Sequence, residues 1–206
     1  FNDDGCPARP FDTIEKFYRA RLLQTVDTQV DSVFYCTGAT TMFTHLAQVG
    51  ETYGEFLDGV DDAYALNIRD GIRSLRQSGN DTLALATDFC HRNGMELIWT
   101  LRMNDIHDSF LDWELTRWKR EHPEYMIGKP EDMQKYPGSD PRHWWSSLDF
   151  EIPEVHDYVY RILKNVCQRY DVDGIELDWW RSPMFFQPNL DMEPVEASHL
   201  AMMNDF

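Results

Sequence analysis

Two acids stand two positions apart in the run Gly174-Ile175-Glu176-Leu177-Asp178-Trp179-Trp180-Arg181. If this run is a strand, its side chains alternate: Ile175 and Leu177 share one face, and Glu176, Asp178 and Trp180 share the other. Carboxylates that project together from a strand end suit acid/base or nucleophilic work. Burying them is costly unless they are paired, hydrogen-bonded or engaged in chemistry. The plain alternative is a structural Glu176 held by an Arg or Lys of a neighbouring strand. Asp178 lies nearer the strand end, where an α/β barrel keeps its chemistry, so the catalytic pair is read as Asp178 with Glu176.

Other polar groups gather wherever a strand is expected to end. Asn2, Asp3 and Asp4 follow the first strand, Arg102, Asn104, Asp105 and His107 the third, and Arg181 the fourth. Carboxylates, amides and a guanidinium at one mouth are what recognition of sugar hydroxyls and cleavage of a glycosidic bond require. Asp3, Asp4 and Asp105 could equally fix turns. The rings of Trp144-Trp145, Trp179-Trp180 and Phe185-Phe186 could stack on the apolar face of a sugar. Trp145 and one of Trp179 and Trp180 are expected against ligand, and the remaining rings are expected to close a hydrophobic layer.

Metal chemistry has a weaker basis. None of the histidines forms a His-x-x-x-His pair, and only His107, near Asp105, could join Glu176 and Asp178 around a divalent ion. No metal or cofactor is expected. A serine nucleophile elbow and a phosphate-binding loop both lack their motifs.

Positioning these groups requires a particular order of elements. Phe1 to Gly5 reads as the end of a first strand, and Asp12 with Glu15 as a capping box for a helix carrying Ile14, Phe17, Tyr18, Leu22 and Val26. Residues 30–37 read as a second strand, and 39–60 as a long loop at the mouth of the fold. Asn80 is expected to cap a helix carrying Leu83, Ala86, Phe89 and Cys90, which Asn93-Gly94 ends. In the third strand, 95–103, Glu96, Thr100 and Arg102 alternate with Leu97, Trp99, Leu101 and Met103. A long excursion rich in Trp, His, Pro and charge follows. Pro153 then opens a helix with Val155, Val159, Ile162, Leu163, Val166 and Tyr170 on one stripe.

Alternating strands and helices imply parallel pairing through right-handed crossovers, hence an α/β fold. Four strands are half of a (β/α)8 TIM barrel, whose usual length is about 250 residues. Residues 1–206 are therefore expected to be one catalytic-type barrel domain that supplies about the first four βα units and is truncated at both ends. An open α/β sheet is the alternative.

Composition limits the partners. The chain has 206 residues, 42% of them hydrophobic, and a net charge of −17 from 36 acidic and 19 basic residues. No apolar run approaches the roughly 20 residues of a membrane helix. The negative field disfavours nucleic acid and anionic membranes and suits a neutral ligand such as a carbohydrate. Cys6, Cys36, Cys90 and Cys167 show no Cys-x-x-Cys spacing, and the last three are read as buried small hydrophobes.

The run from Leu148-Asp149 to Pro153-Glu154-Val155-His156-Asp157-Tyr158, followed by Tyr170-Asp171-Val172-Asp173-Gly174-Ile175-Glu176-Leu177-Asp178, resembles the glycosyl-hydrolase-like TIM-barrel proteins described as family-10-like hypothetical glycosidases. The resemblance extends from about Asn80 to Pro183. The same strand is similar to the fourth strand of family 18 chitinases, with Trp180 in the place of their catalytic Glu. It is also similar to the Asp-Trp strand end of α-galactosidase-type barrels, where the Asp is the nucleophile and Glu176 replaces a Lys. These resemblances imply a carbohydrate-active barrel and extracellular or periplasmic residence.

The expected function is a glycoside hydrolase acting on an oligo- or polysaccharide. Asp178 would be nucleophile or acid/base, with Glu176 its partner, and Arg102, Asn104 and Asp105 would bind hydroxyls. A carbohydrate-binding barrel without catalysis and a divalent-metal hydrolase are the alternatives. Glu176 and Asp178 would project in parallel from Cα atoms about 6.5 Å apart, poorly placed to grip one glycosidic bond from both sides. A second catalytic acid would then come from beyond Phe206.

Overall fold

A computed structural model of the protein describes residues 1–3, 11–55, 57 and 60–187, with residues 2 and 3 as backbone only. Asp4, Cys6 and the chain after residue 187 lie outside the described residues. The elements are β1 (Asn2–Asp3), α1 (Ile14–Arg21), β2 (Ser32–Cys36), β3 (Gly38–Ala39), β4 (Met42–Phe43), β5 (Glu51–Thr52), α2 (Ala63–Gln77), α3 (Thr82–Arg92), β6 (Glu96–Arg102), α4 (Arg117–Glu121), α5 (Asp132–Lys135), α6 (Pro153–Arg169) and β7 (Gly174–Asp178). Single turns of 3-10 helix punctuate the loops. The chain divides into two compact units: Phe1–Arg102 with Asn165–Asp178, and Met103–Lys164 with Trp179–Phe206.

In the first unit, β1, β2, β6 and β7 form a parallel sheet in that order. Each added strand thus pairs with the strand of this sheet that precedes it in the chain, the usual outcome of short sequential connections. The register aligns Tyr35 with Trp99 and Trp99 with Ile175, and puts Thr100 beside Glu176 and Arg102 beside Asp178. Val33, Tyr35, Leu97, Trp99 and Leu101 alternate onto one face and are fully buried. The Phe17 ring of α1 meets Tyr35 edge-on at 6.5 Å. Helical rings therefore seal the apolar face, and Thr100, Arg102, Glu176 and Asp178 occupy the opposite one.

Side chains fix the ends of these elements. Asp173 Oδ2 accepts hydrogen bonds from Leu97 N at 2.8 Å and meets His91 Nε2 at 2.9 Å, which clamps the start of β7 to β6. Those two bonds hold the Asp173 carboxyl below the usual carboxylate range. Thr40 Oγ1 donates to the carbonyl of Arg102 at 2.7 Å, using the acceptor at the last residue of β6. Beneath the apolar face, Thr37 Oγ1 accepts from Trp99 Nε1 at 2.9 Å and contacts His45 Nδ1 at 2.8 Å. Both ring nitrogens thereby gain a buried partner.

Several boundaries differ from expectation. The N-cap of α1 is Thr13, which accepts from Lys16 N, whereas Asp12 pairs with the Lys16 ammonium. Asp81, and not Asn80, caps α3 by accepting from Leu83 N and Ala84 N. Asn93-Gly94 closes that helix as expected, with Gly94 at φ 70°. The supposed loop 39–60 contains β3, β4 and β5, a small second sheet. At Gly38 a Cβ would lie 2.2 Å from the Met42 carbonyl oxygen, so the turn into that sheet requires glycine. α2 is an additional helix, capped by Asp62, that buries Ala65, Ile68, Ile72 and Leu75. α6 follows its predicted stripe closely, with Val155, Val159, Ile162 and Val166 buried. Cys36 and Cys90 are buried free thiols, but Cys167 is exposed, which corrects its expected burial. Burial pushes the Cys90 thiol up to about 12.

The second unit is knit by polar pins around rings. Phe150, Trp179 and Phe185 form an edge-packed cluster with centroids 4.9 to 5.6 Å apart. Lys119 Nζ donates to Asp108 Oδ2 at 2.6 Å and to the Ser146 carbonyl at 2.8 Å, and all three residues are buried. Ser146 Oγ donates to the other oxygen of Asp108. Among the described residues, no helix of the chain is long and apolar enough to cross a membrane.

Candidate active site

On the sheet, the two acids stand on one face with defined neighbours. Thr100 Oγ1, on the adjacent strand, donates to Glu176 Oε2 at 2.7 Å, which fixes the position of that carboxylate. Asp178 is the last residue of β7 and lies in register with Arg102, the last residue of β6, whose side chain is only 8% exposed. The carboxylate–guanidinium register occurs at the carboxyl ends of parallel strands, where open α/β sheets and barrels keep their ligands. Both acids are half-buried. A ligand oxygen could therefore still approach them. β1 ends at Asp3, in register with Tyr35.

The second unit holds the other candidates. Asn104 is buried and fully engaged: Nδ2 donates to the carbonyls of Leu148 and Met184, and Oδ1 accepts from Leu148 N and Asp105 N. Its amide is a backbone staple: both N–H groups and both acceptor positions of Asn104, an expected hydroxyl binder, are occupied by the chain itself. Trp145, an expected ligand contact, is likewise buried, with its indole N–H on the Ser109 carbonyl at 3.3 Å. Trp179 joins the Phe150 and Phe185 rings, whereas Trp180 is 86% exposed. Arg181 is exposed, and its charge is felt at His107.

Asp105 and His107 form a close titratable pair in this unit. Asp105 Oδ1 lies 2.6 Å from His107 Nδ1 and accepts the His107 backbone N–H at 2.8 Å. The hydrogen bond to Asp105 raises the imidazole above its ordinary value, and the charges of Asp105 and Glu114 add to that against partial burial and Arg181. Asp105, His107 and Glu114 place ligand-type atoms within 4.8 Å of one another, which makes them a possible cation trio. Two atoms bound to one ion at about 2.1 Å each would stand roughly 3 Å or more apart. The 2.6 Å contact is the separation of atoms that share a proton, so Asp105 Oδ1 and His107 Nδ1 are placed as a hydrogen-bonded dyad and not as two ligands of one ion. Sequence reading did not find Glu114 or the exposed Phe110, whose ring lies 5.7 Å from His107 and 6.2 Å from Trp144. The spacing of Phe110 and His107, three residues apart on one 3-10 turn, was the available signal.

The model of the family described as glycosyl hydrolase-like 10 matches residues 66–190, more than half of the chain. The chain belongs to that glycosyl hydrolase-like 10 family. No curated protein matches the chain. Within the family match lie α3, β6, α6 and β7, together with the Thr100–Glu176 contact and the Arg102–Asp178 register. The glycosyl hydrolase-like 10 segment thus includes two strands of the parallel sheet, the helices α3 and α6 that lead into them, and both strand-end acids.

Proposed function

We propose that this glycosyl hydrolase-like 10 chain carries strand-end acids of a glycoside hydrolase acting on an oligo- or polysaccharide, with its parallel sheet forming part of a (β/α)8 barrel. One observation carries the reading. Asp178 ends its strand beside the buried Arg102, on the same face as a Glu176 oriented by Thr100. In this assignment Asp178 is the nucleophile or acid/base group. Glu176, already holding one hydroxyl donor, tunes it and orders the ground state. Parallel projection from one strand puts both acids on the same side of a bound sugar, so the opposite carboxylate comes from another element. Asp3, Arg102, Asn104, Asp105, His107, Trp145, Trp179, Trp180 and Arg181 are individual candidates for substrate contact, and Asp4, the other, lies outside the described residues.

The test is turnover of neutral oligosaccharides by wild type and by Asp178→Asn. Loss of about 10²–10⁴-fold, with saccharide binding and melting temperature retained, is the expected result for removal of an acid or base. Absence of turnover in wild type with binding intact would favour the second reading, a carbohydrate-binding barrel. The exposed Trp180 ring supports that reading. A chelator that abolished turnover would instead revive a divalent-metal hydrolase.

A further inference from the structure

The second unit contains a cleft of about 390 Å³ that uses none of the residues assigned above. Trp118, His122 and Tyr125 line it with rings, and Glu154, Asp157 and Arg161 line it with charges. Its rings are held in place. Trp118 lies flat on the buried Tyr158, with centroids 3.9 Å apart and planes at 8°, so one face of the indole is covered. Tyr125 tilts against Trp118 at 5.4 Å and stacks on His122 at 4.6 Å with planes at 9°. The charged residues occupy positions i, i+3 and i+7 of α6, one stripe of that helix. Asp157 accepts from Arg161 Nε at 3.0 Å, and His122 Nδ1 meets Glu124 at 3.2 Å. Desolvation pushes the Tyr125 phenol up, and the charges of Glu154, which lines the cleft, and of Glu124 add to it.

The chemistry of the lining selects the ligand. A cationic ligand would meet the Arg161 guanidinium. An anionic one would meet Glu154 and Asp157 in a chain whose net charge is already −17. A wholly apolar ligand would cover carboxylates and a guanidinium without returning their hydrogen bonds. A pyranose has an apolar C–H face for a ring and a rim of hydroxyls that both donate and accept. We propose that the cleft between α4 and the amino-terminal turns of α6 is an ancillary binding site for a neutral saccharide, stacked on Trp118 and Tyr125 and hydrogen-bonded by Glu154, Asp157 and Arg161. This inference shares with the catalytic reading only the class of ligand. A binding chain without turnover would use it equally well.

The experiment titrates the isotope-labelled chain with cellotetraose, maltotetraose and laminaritetraose and follows the Trp118 indole N–H resonance, assigned through Trp118→Phe. A tetramer of glucosamine and a tetramer of galacturonate serve as cationic and anionic comparators. At least one neutral tetrasaccharide should shift Trp118 saturably and bind more tightly than either charged tetramer. Tyr125→Ala should weaken that binding on the order of tenfold, the size of a lost ring contact. Glu154→Gln, at an exposed helix position, should weaken it in a chain that keeps its fold even if Tyr125→Ala does not. Asp178→Asn should leave it unchanged. Failure of every neutral probe to move Trp118, preference for a charged tetramer, or binding lost in Asp178→Asn and kept in Glu154→Gln would each overturn the proposal. Turnover is read separately, so an inactive wild type that still shifts Trp118 sinks the catalytic reading and leaves this one standing.

Discussion

At the scale of single residues, proton placement is decided by neighbours that no local pattern announces. His107 has its Nδ1 on Asp105 and Glu114 near by, which raises its pKa. Proton NMR should therefore find His107 titrating above the ordinary 6.5, with Asp105→Asn bringing it back down. Because the folded value is raised, the pair stabilises the fold fully below the ordinary value and loses that contribution as pH rises through the folded one. The destabilisation by Asp105→Asn should accordingly be larger at about pH 5 than at about pH 9; the opposite order in denaturant melts would remove the dyad assignment. Lys119 presents a different balance. Its ammonium is buried against Asp108, whose carboxyl is pushed up by burial and pulled back by that cation and by Ser146. Lys119→Met strands the carboxylate, and urea melts should show a loss of about 3–5 kcal/mol. A loss below 1 kcal/mol would mean that Asp108 is neutral in the fold.

At the scale of elements, the same logic explains which segments could be read in advance. α6 was legible because Val155, Val159, Ile162 and Val166 recur at helical spacing behind a proline, and the helix buries that stripe. α2 carries a comparable stripe from Ala65 to Leu75, yet Gly71 interrupts it. There the Phe11 ring lies 3.0 Å from where a Cβ would stand, so the glycine serves helix packing and hides the period. β3, β4 and β5 are two residues each, too short for any alternation to show. Asp81 shows how one cap can serve several elements. It caps α3, accepts from Leu46 N at 2.5 Å, and accepts from the Tyr170 hydroxyl at 3.1 Å. Asp81→Ala should cost more than an ordinary cap of about 0.5–2 kcal/mol, and thermal melts of Asp81→Ala beside Asp62→Ala, a cap that bonds α2 alone, make the comparison.

At the scale of the whole molecule, acid stability depends on a buried imidazole. His45 is enclosed by Phe43, Trp99 and Tyr170, and burial lowers its pKa to about 4. The unfolded chain therefore binds a proton near 6.5 that the folded chain refuses until about 4. Stability from this group is complete above the unfolded value and declines as pH falls through that window, by up to roughly 3 kcal/mol. His45→Gln cannot charge, and its denaturation midpoint should be flatter between those two pH values. An identical slope in the variant would assign the acid sensitivity elsewhere. The net charge of −17 acts over the same molecule without choosing a site: it disfavours anionic ligands.

The sequence by itself determined the parallel α/β character, the order of the four sheet strands, and the shared face of Glu176 and Asp178. These follow from periods of 2.0 and 3.6 residues and from the handedness of crossovers, which are local properties of the chain. It also carried the family resemblance that the match over residues 66–190 bears out. Only the tertiary structure decided that Asn104 and Trp145 are inward supports, that Thr100 holds Glu176, and that Asp105, His107 and Glu114 gather while Trp118 and Tyr125 wall a cleft. Whether a polar group is available to a ligand depends on which distant atoms already occupy its hydrogen bonds. That allocation exists only once the chain has packed.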